Sequence, residues 1–334
     1  MALPMLIASA LKKVILGDTA LPQEFTIALR APQTEVEVRL EFPGTLLDVT
    51  ERCTIACCEP LFIGVSIDGE ASVDRSENEN AVLRFQESSG LRRELGSIRL
   101  ARSSSIPFDG RELILFSVLD SRNCCLPKFR LWMHYLPQAF SNWRKFKSFD
   151  VRMSSRDIRA TQVGFIRPHP LMLCSVMTGH GGNIFPMNLM GELGRGYVAF
   201  ALKDSRRPAH LIETARRLAL SSVPMPLCSV AFKLAANHTR DAIDWEQLPF
   251  ALDLSNTLRI PIPASAPRVR ELEVERIERL GSHSLFVART LSDDRRSDEP
   301  QVHIIHGFYQ YWRLRGRKAA LRSSIAEDGI NKYS

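Results

Sequence analysis

The sequence predicts a mainly β protein with some α-helix, divided into two domains. Its 334 residues exceed the size at which one hydrophobic core usually keeps growing, so two domains are expected. With 45% hydrophobic and 24% charged residues, the composition is that of an ordinary folded protein. We expect a β-rich domain over residues 1–140, a connector over 141–161, a second β domain over 162–316, and a basic, flexible tail over 317–334.

The N-terminal domain is predicted to be β-rich because its apolar residues recur with the period of a strand. Apolar and charged side chains alternate strictly over residues 35–42, which is the pattern of a half-buried strand. A strand at 61–67 leads into Asp68-Gly69, a pair that favours a tight hairpin turn. We also assign strands at 113–118 and 129–136 and an exposed polar loop at 74–80. No catalytic or binding motif in this domain indicates its function.

Short apolar segments separated by proline and glycine recur through the second half, a spacing typical of a small antiparallel barrel. A helix interrupts them, because Pro208 suits a first helical turn and Leu211, Ile212, Ala215 and Leu218 recur at helical spacing. The expected strands are 163–166, 171–178, 183–188, 197–202, 218–224, 269–280, 284–290, 302–305 and 309–314.

The order of these pieces resembles that of the flavin reductase family over about residues 162–315, close to half of the chain. The resemblance implies a C-terminal FMN-binding split β-barrel, preceded by a β-rich N-terminal domain of unknown type. It also implies a homodimer that binds FMN at the subunit interface. The motifs that carry it are Arg167-Pro168-His169-Pro170, the Gly181-Gly182-Asn183 turn, the turn Lys203-Asp204-Ser205-Arg206-Arg207, Gly281-Ser282-His283-Ser284 and Gly307-Phe308-Tyr309.

A basic turn is the first candidate binding site. Ser205, Arg206 and Arg207 lie just before the predicted helix, whose free N–H groups and positive dipole end favour an anion. Two guanidinium groups at such a position indicate a phosphate site, to which Lys203 adds a further charge. The alternative is a solvated basic turn at the start of the helix.

A second candidate site follows the glycine pair. Asn183 stands at a turn that, by the family resemblance, approaches the flavin ring, and the following strand contributes Met187, Asn188 and Leu189. The family often carries small hydroxyl residues after this asparagine. This chain has none there, so Asn188 and main-chain groups are expected to take their place.

His283 is the candidate catalytic residue, because the resemblance places it near the flavin and the nicotinamide. A structural histidine at the turn is the alternative. Tyr309 either stacks near the cofactor or packs in the barrel. No metal site is expected, because His303 and His306, three residues apart on a strand, face opposite sides.

The function implied by the resemblance is an NAD(P)H-dependent flavin oxidoreductase that uses FMN and supplies reduced flavin to a partner oxygenase. No acid–base pair is required, since the flavin itself carries the hydride chemistry. Two alternatives remain open: a split-barrel protein that binds flavin or haem without nicotinamide turnover, and a cofactor-free dimerisation scaffold.

Charge and cysteine content narrow the partners and the location. The net charge of +7 is spread through the chain and accompanies no nucleic-acid-binding motif, so no nucleic acid partner is expected. The apolar stretches are shorter than the roughly 18 residues of a membrane span, which predicts no transmembrane helix. The seven cysteines lack the paired spacing of a zinc site and indicate free thiols in a reducing, cytoplasmic protein.

Overall fold

Two antiparallel sheets of seven strands each dominate the computed structural model. The structure describes residues 24–30, 35–68, 80–144, 153–315 and 323–324. The prediction of a mainly β protein with some α-helix is confirmed. The second half of the Asp68-Gly69 turn, most of the predicted polar loop and the tail outside 323–324 lie outside the described residues.

The first half of the described chain contains a β-rich unit, as predicted. Its strands are β1 (Glu24–Leu29), β2 (Val36–Phe42), β3 (Thr45–Asp48), β4 (Cys53–Cys58), β5 (Leu61–Asp68), β6 (Asn80–Glu87), β7 (Glu94–Phe108) and β8 (Arg111–Asn123). The last seven form the first sheet, in the spatial order β3-β2-β6-β7-β8-β5-β4. In β2, the alternation predicted from the sequence is confirmed, since its four apolar side chains are buried and the residues between them are half-buried.

Two helices follow the first sheet, and the second half is again rich in strands. The helices are α1 (Lys128–Arg144) and α2 (Ser155–Gly164). The following elements are β9 (His169–Pro170), β10 (Met172–Thr178), β11 (Gly181–Met187), β12 (Met190–Gly194), β13 (Tyr197–Lys203), α3 (Arg207–Ala215), β14 (Arg217–Ser222), α4 (Cys228–Lys233), β15 (Leu252–Leu254), β16 (Pro261–Pro263), β17 (Arg268–Leu280), β18 (His283–Arg295), β19 (Gln301–His306), α5 (Gly307–Arg315) and β20 (Ser323–Ser324).

The second sheet has the spatial order β11-β10-β14-β17-β18-β13-β12. It curls around its own apolar core, because Phe185 near one edge is buried in the same cluster as Phe200 from β13. Phe200 and Phe286 stack there with ring centroids 5.0 Å apart. Helix α3 begins as predicted, with Pro208 in its first turn, and its Ile212 is buried in this core.

A smaller sheet ties the N-terminal strand to the second half of the chain. Strand β1 pairs antiparallel with β19, from Glu24 opposite His306 to Leu29 opposite Gln301. The order of this sheet is β20-β1-β19-β9. The earliest described segment is therefore held by a segment near the C-terminus.

Three predicted strands are wrong: two are helical, and the third is the end of a helix followed by a turn. Residues 129–136 belong to α1, 163–166 include the end of α2, and 309–314 belong to α5. Short apolar runs have no period long enough to separate a strand from a helix. In α2, the Ser154 hydroxyl accepts a hydrogen bond from the Asp157 N–H at 3.1 Å, a cap that the sequence analysis overlooked.

The two large sheets meet face to face through a set of apolar residues that we call the junction cluster. Its members from the first sheet are Ala56, Ile106, Phe108, Leu113 and Leu115, and those from the second are Leu193, Tyr197, Ala199, Ala201, Leu285 and Val287. All are buried. The residues of β13 and β18 that point away from the core of the second sheet are thus covered by the first sheet.

Candidate functional site

The end of β13 brings together several of the residues predicted to form the site. Lys203, the last residue of β13, lies opposite His283 at the start of β18. On the other side of β13, the Ala201 N–H donates to the Leu189 carbonyl at 2.9 Å. Asn188 and Leu189 form the short connection between β11 and β12 and are half-buried. The connection, the end of β13 and the start of β18 are therefore neighbours.

The basic turn leaves β13 at this point and opens helix α3. Arg206 is the N-cap residue, in extended conformation, and no side chain caps the helix. Ser205 and Arg207 are exposed, whereas Arg206 is half-buried. Arg207 lies 3.4 Å from Asp241, but both side chains are largely exposed, so this ion pair contributes little. The helix start thus combines uncapped N–H groups with solvent-facing positive charge.

Hydrogen bonds anchor the basic turn to the β17–β18 hairpin. The Ser284 hydroxyl donates to the Asp204 carboxylate at 2.6 Å, and the Asp204 N–H donates to the Ser282 carbonyl at 3.0 Å. Asp204 is therefore held by both its main chain and its side chain. The position of the turn relative to His283 is consequently fixed by the fold.

His283 is a buried, neutral histidine. Its Nδ1 lies 2.8 Å from the Ser282 hydroxyl and 3.7 Å from the Cys57 thiol. Burial lowers the pKa of His283 to about 4, against an opposing effect of Asp204. At neutral pH the imidazole carries no charge, so it is suited to hydrogen bonding and not to direct charge neutralisation of an anion.

The first sheet contributes residues to this site that the sequence analysis missed. The Ser282 N–H donates to the Glu59 carbonyl at 2.9 Å. Gly281 has a φ of 54°, and a Cβ there would overlap the Glu59 carbonyl oxygen. Cys57 and Glu59 are far from His283 in the sequence, and no local motif marks them. Ser282, Ser284 and Asp204, in contrast, belong to the motifs that carry the family resemblance.

Asn183 and Met187 lie beneath the surface. Asn183 is fully buried, and its Nδ2 donates to the carbonyls of Asn237 at 3.1 Å and Arg240 at 2.7 Å. Met187 belongs to the core of the second sheet. The structure thus connects Asn183 with the segment that ends beside Asp241, the partner of Arg207, but it exposes neither side chain.

Tyr309 lies in a different part of the molecule. It is a residue of α5, buried in the core that includes β2 and β19. Its hydroxyl donates to the Glu35 carboxylate, and burial raises the pKa of the phenol. The structure does not bring Tyr309 to the end of β13, where the other candidates meet.

All seven cysteines are free thiols, as predicted, and five of them are buried. Among the described residues, no group of three or more His, Cys, Asp or Glu side chains is arranged to hold a metal ion. In the same part of the chain, no helix has the length and apolar character needed to cross a membrane.

Solved structures similar to this chain include FMN-binding proteins and flavin reductases, in agreement with the resemblance carried by the motifs. An FMN-binding protein from Thermus thermophilus is 23% identical, over 39% of this chain and 71% of that one, with a TM-score of 0.35. An NADH:FAD oxidoreductase from Streptomyces globisporus is 14% identical, over 45% and 89%, with a TM-score of 0.40. The styrene monooxygenase flavin reductase of Pseudomonas putida is 20% identical, over 42% and 90%, with a TM-score of 0.35. No family model and no curated protein matches the chain.

Proposed function

We propose that this chain binds FMN at the end of β13 and acts as an NAD(P)H-dependent flavin reductase-like oxidoreductase. The observation that carries the proposal is the basic turn Lys203–Arg207, which opens α3 without a side-chain cap and is anchored to the His283 hairpin. Uncapped N–H groups, a helix dipole and two guanidinium groups together favour a phosphate ester.

The residues divide between the two ends of the ligand. Lys203, Ser205, Arg206 and Arg207 are proposed to hold the phosphate, because they surround the helix start. The Asn188-Leu189 connection and His283 flank the end of β13 and are proposed to face the ring. In this proposal Asn183, Met187 and Tyr309 act by packing, since their side chains are buried.

When bound, FMN supplies the hydride chemistry, taking a hydride from a reduced nicotinamide. The protein's own residues bind and orient. Neutral His283, fixed by Ser282, offers a hydrogen bond without adding charge. The junction cluster excludes water from one side of the site. A partner oxygenase that receives the reduced flavin, and a cytoplasmic location, remain part of the proposal.

The proposal predicts that Arg206→Ala/Arg207→Ala weakens FMN binding much more than riboflavin binding. The two ligands differ only at the phosphate, and a hydrogen bond to a charged group is worth roughly 1.5–3 kcal/mol. Exposure of the turn favours the lower end, so we expect about a tenfold loss for FMN per contact and little change for riboflavin. Fluorescence titration of both ligands into the wild type and the double variant measures this difference.

Arg217→Ala/Arg276→Ala is the matched control, because it removes the same charge from exposed positions on β14 and β17. FMN affinity is expected to be unchanged in this control. Equal weakening of FMN and riboflavin by the Arg206 and Arg207 substitutions would remove both arginines from the proposed site.

A second candidate, a binding protein or scaffold without turnover, is favoured by one observation. The amide nitrogen of Asn183 is already engaged by Asn237 and Arg240, so it is not directed at a ligand. The absorption spectrum of the purified protein separates an empty scaffold from a flavoprotein. Anaerobic addition of NADH or NADPH then separates a reductase, whose flavin bleaches, from a binding protein, whose flavin stays oxidised.

A further inference from the structure

The two large sheets have the same topology. If the strands of each sheet are counted along the chain, β2 to β8 correspond in order to β10, β11, β12, β13, β14, β17 and β18. With this correspondence, the spatial order β3-β2-β6-β7-β8-β5-β4 becomes β11-β10-β14-β17-β18-β13-β12, which is the order observed in the second sheet. Every neighbour relation in one sheet therefore recurs in the other.

The long hairpins agree in register as well. Phe108 pairs with Arg111 at the tip of the β7–β8 hairpin, and Leu280 pairs with His283 at the tip of the β17–β18 hairpin. Each hairpin has two bulges at the same distances from its tip. In the first hairpin, one bulge lies between Arg102 and Ser104 and the other between Arg99 and Leu100. In the second hairpin, one lies between Val274 and Arg276 and the other between Glu271 and Leu272.

A third bulge also recurs. The pairing of β4 with β5 shifts between Ile55 and Cys57, and the pairing of β12 with β13 shifts between Glu192 and Gly194. The second strand of each of these pairs, β5 or β13, also pairs with the long hairpin of its sheet. Asp68 therefore lies opposite Arg111, and Lys203 lies opposite His283. Bulges are specific features that a family of folds retains, so three coincident bulges indicate one fold present twice.

The two copies pack through equivalent residues. The correspondence relates Ala56 to Leu193, Leu113 to Leu285 and Leu115 to Val287, and all six belong to the junction cluster. A two-fold symmetric dimer uses the same surface patch on both partners in this way. The junction therefore has the form of a dimer interface enclosed within one chain.

We infer that the strands β2–β8 and the corresponding strands β10–β14, β17 and β18 are two copies of one fold, paired within a single chain, and that the first copy completes the site beside His283. The pairing stands on the topology alone, whereas the identity of the bound ligand rests on the proposed function. The family resemblance implied a homodimer, because split barrels of that family complete the cofactor site with residues from both subunits. Here the first sheet takes the place of the second subunit within the same chain.

The two copies carry different side chains where the strand β5 or β13 meets the long hairpin of its sheet. Arg111 takes the place of His283, Asp68 that of Lys203, and Gly194 that of Cys57. Buried Arg111 donates from Nη1 to the Leu193 carbonyl at 2.7 Å and forms an ion pair with Asp68. A Cβ at Gly194 would overlap the Arg111 guanidinium. The arginine thus fills this position in the first sheet, whereas the equivalent position in the second sheet lies beside the basic helix start.

The test is sedimentation equilibrium of the full chain, with and without FMN, over a wide range of protein concentration. We expect the mass of one chain throughout and one FMN bound for each chain. A stable dimer of chains that is required for FMN binding would overturn the completion of the site by the first copy but leave the proposed function intact. A monomer that binds no FMN would instead remove the proposed function and leave the pairing.

A variant tests whether the first copy contributes to the site. Glu59 lies beside His283, because its main-chain carbonyl accepts a hydrogen bond from the Ser282 N–H at 2.9 Å, and its negative charge opposes the lowering of the His283 pKa. Removing this negative charge in Glu59→Gln is expected to tighten FMN binding about two- to fivefold, the effect of one partly exposed charge, and to leave riboflavin unchanged. Glu51→Gln, near the other end of β4, is the control and is expected to change neither ligand. Unchanged FMN affinity in Glu59→Gln, or two FMN bound per chain, would overturn the inference that the first copy completes the site beside His283.

Discussion

The two sheets share their topology and their bulges, but they differ at the end of the strand that meets the long hairpin. In the first sheet this place holds Arg111, which forms an ion pair with Asp68 and donates a hydrogen bond to the Leu193 carbonyl. In the second it holds Lys203 and a neutral histidine, beside a basic helix start. The comparison teaches that the strand arrangement does not determine the chemistry, which depends on the few side chains at this end.

The largest expected effect is an equal loss of stability when equivalent leucines of the two sheets are truncated in the junction cluster. Leu113 and Leu285 occupy corresponding places in the junction cluster, and both are 0% exposed. Leu113→Ala and Leu285→Ala are each expected to lower the free energy of unfolding by about 4 kcal/mol, because each leaves a cavity in a closed interface. Urea denaturation measures both variants.

Leu46→Ala is the control, since Leu46 is 53% exposed and its truncation is expected to change the unfolding free energy by less than about 1 kcal/mol. A small loss in one of the junction variants and a large loss in the other would contradict the equivalence of the two faces.

A smaller effect is expected from the hairpin turns. Gly281 and Gly110 both have positive φ, but only Gly281 faces main-chain atoms of the other sheet, at Glu59. Alanine in this backbone region is strained by about 1–2 kcal/mol. We therefore expect Gly110→Ala to destabilise by about 1 kcal/mol and Gly281→Ala by about 3 kcal/mol, because only the latter must also separate the sheets. Thermal unfolding compares the two, and similar values would show that the hairpin tip is not clamped at the junction.

The smallest expected effect is on the pH dependence of stability, to which His283 contributes through its lowered pKa. Burial lowers the pKa of His283 from 6.5 to about 4, although Asp204 and Glu59 oppose the shift and Lys203 adds to it. Between these values the unfolded chain binds a proton that the folded chain does not, so stability falls as the pH decreases from about 6.5. We expect the wild type to lose about 2 kcal/mol more than His283→Gln between pH 7 and pH 4.5.

The measurement is chemical denaturation of both proteins at each pH. Buried His169 and His303, whose pKa values burial lowers to about 3 and about 4, remain in both proteins and contribute equally. Parallel pH curves for the wild type and His283→Gln would show that this histidine is protonated alike in the folded and the unfolded chain.

Local patterns predicted much of the fold. The alternation of β2 and the glycine and proline breaks around β10 to β13 are visible in the sequence because burial on one face imposes a period of two. The start of α3 at Pro208 was visible for a similar local reason. The helices α1 and α5 were mistaken for strands, because short apolar runs suit either structure and only packing decides between them.

The sequence by itself determined the mainly β class, the basic turn, and the position of His283 next to a hairpin tip. Only the tertiary structure revealed that the first sheet repeats the second, since equivalent strands retain the register while most of their side chains differ. It also decided that Cys57 and Glu59 join His283, and that Asn183 and Tyr309 are buried elsewhere. The physical reason is that contacts between distant strands follow from the packing of whole faces, which no local spacing encodes.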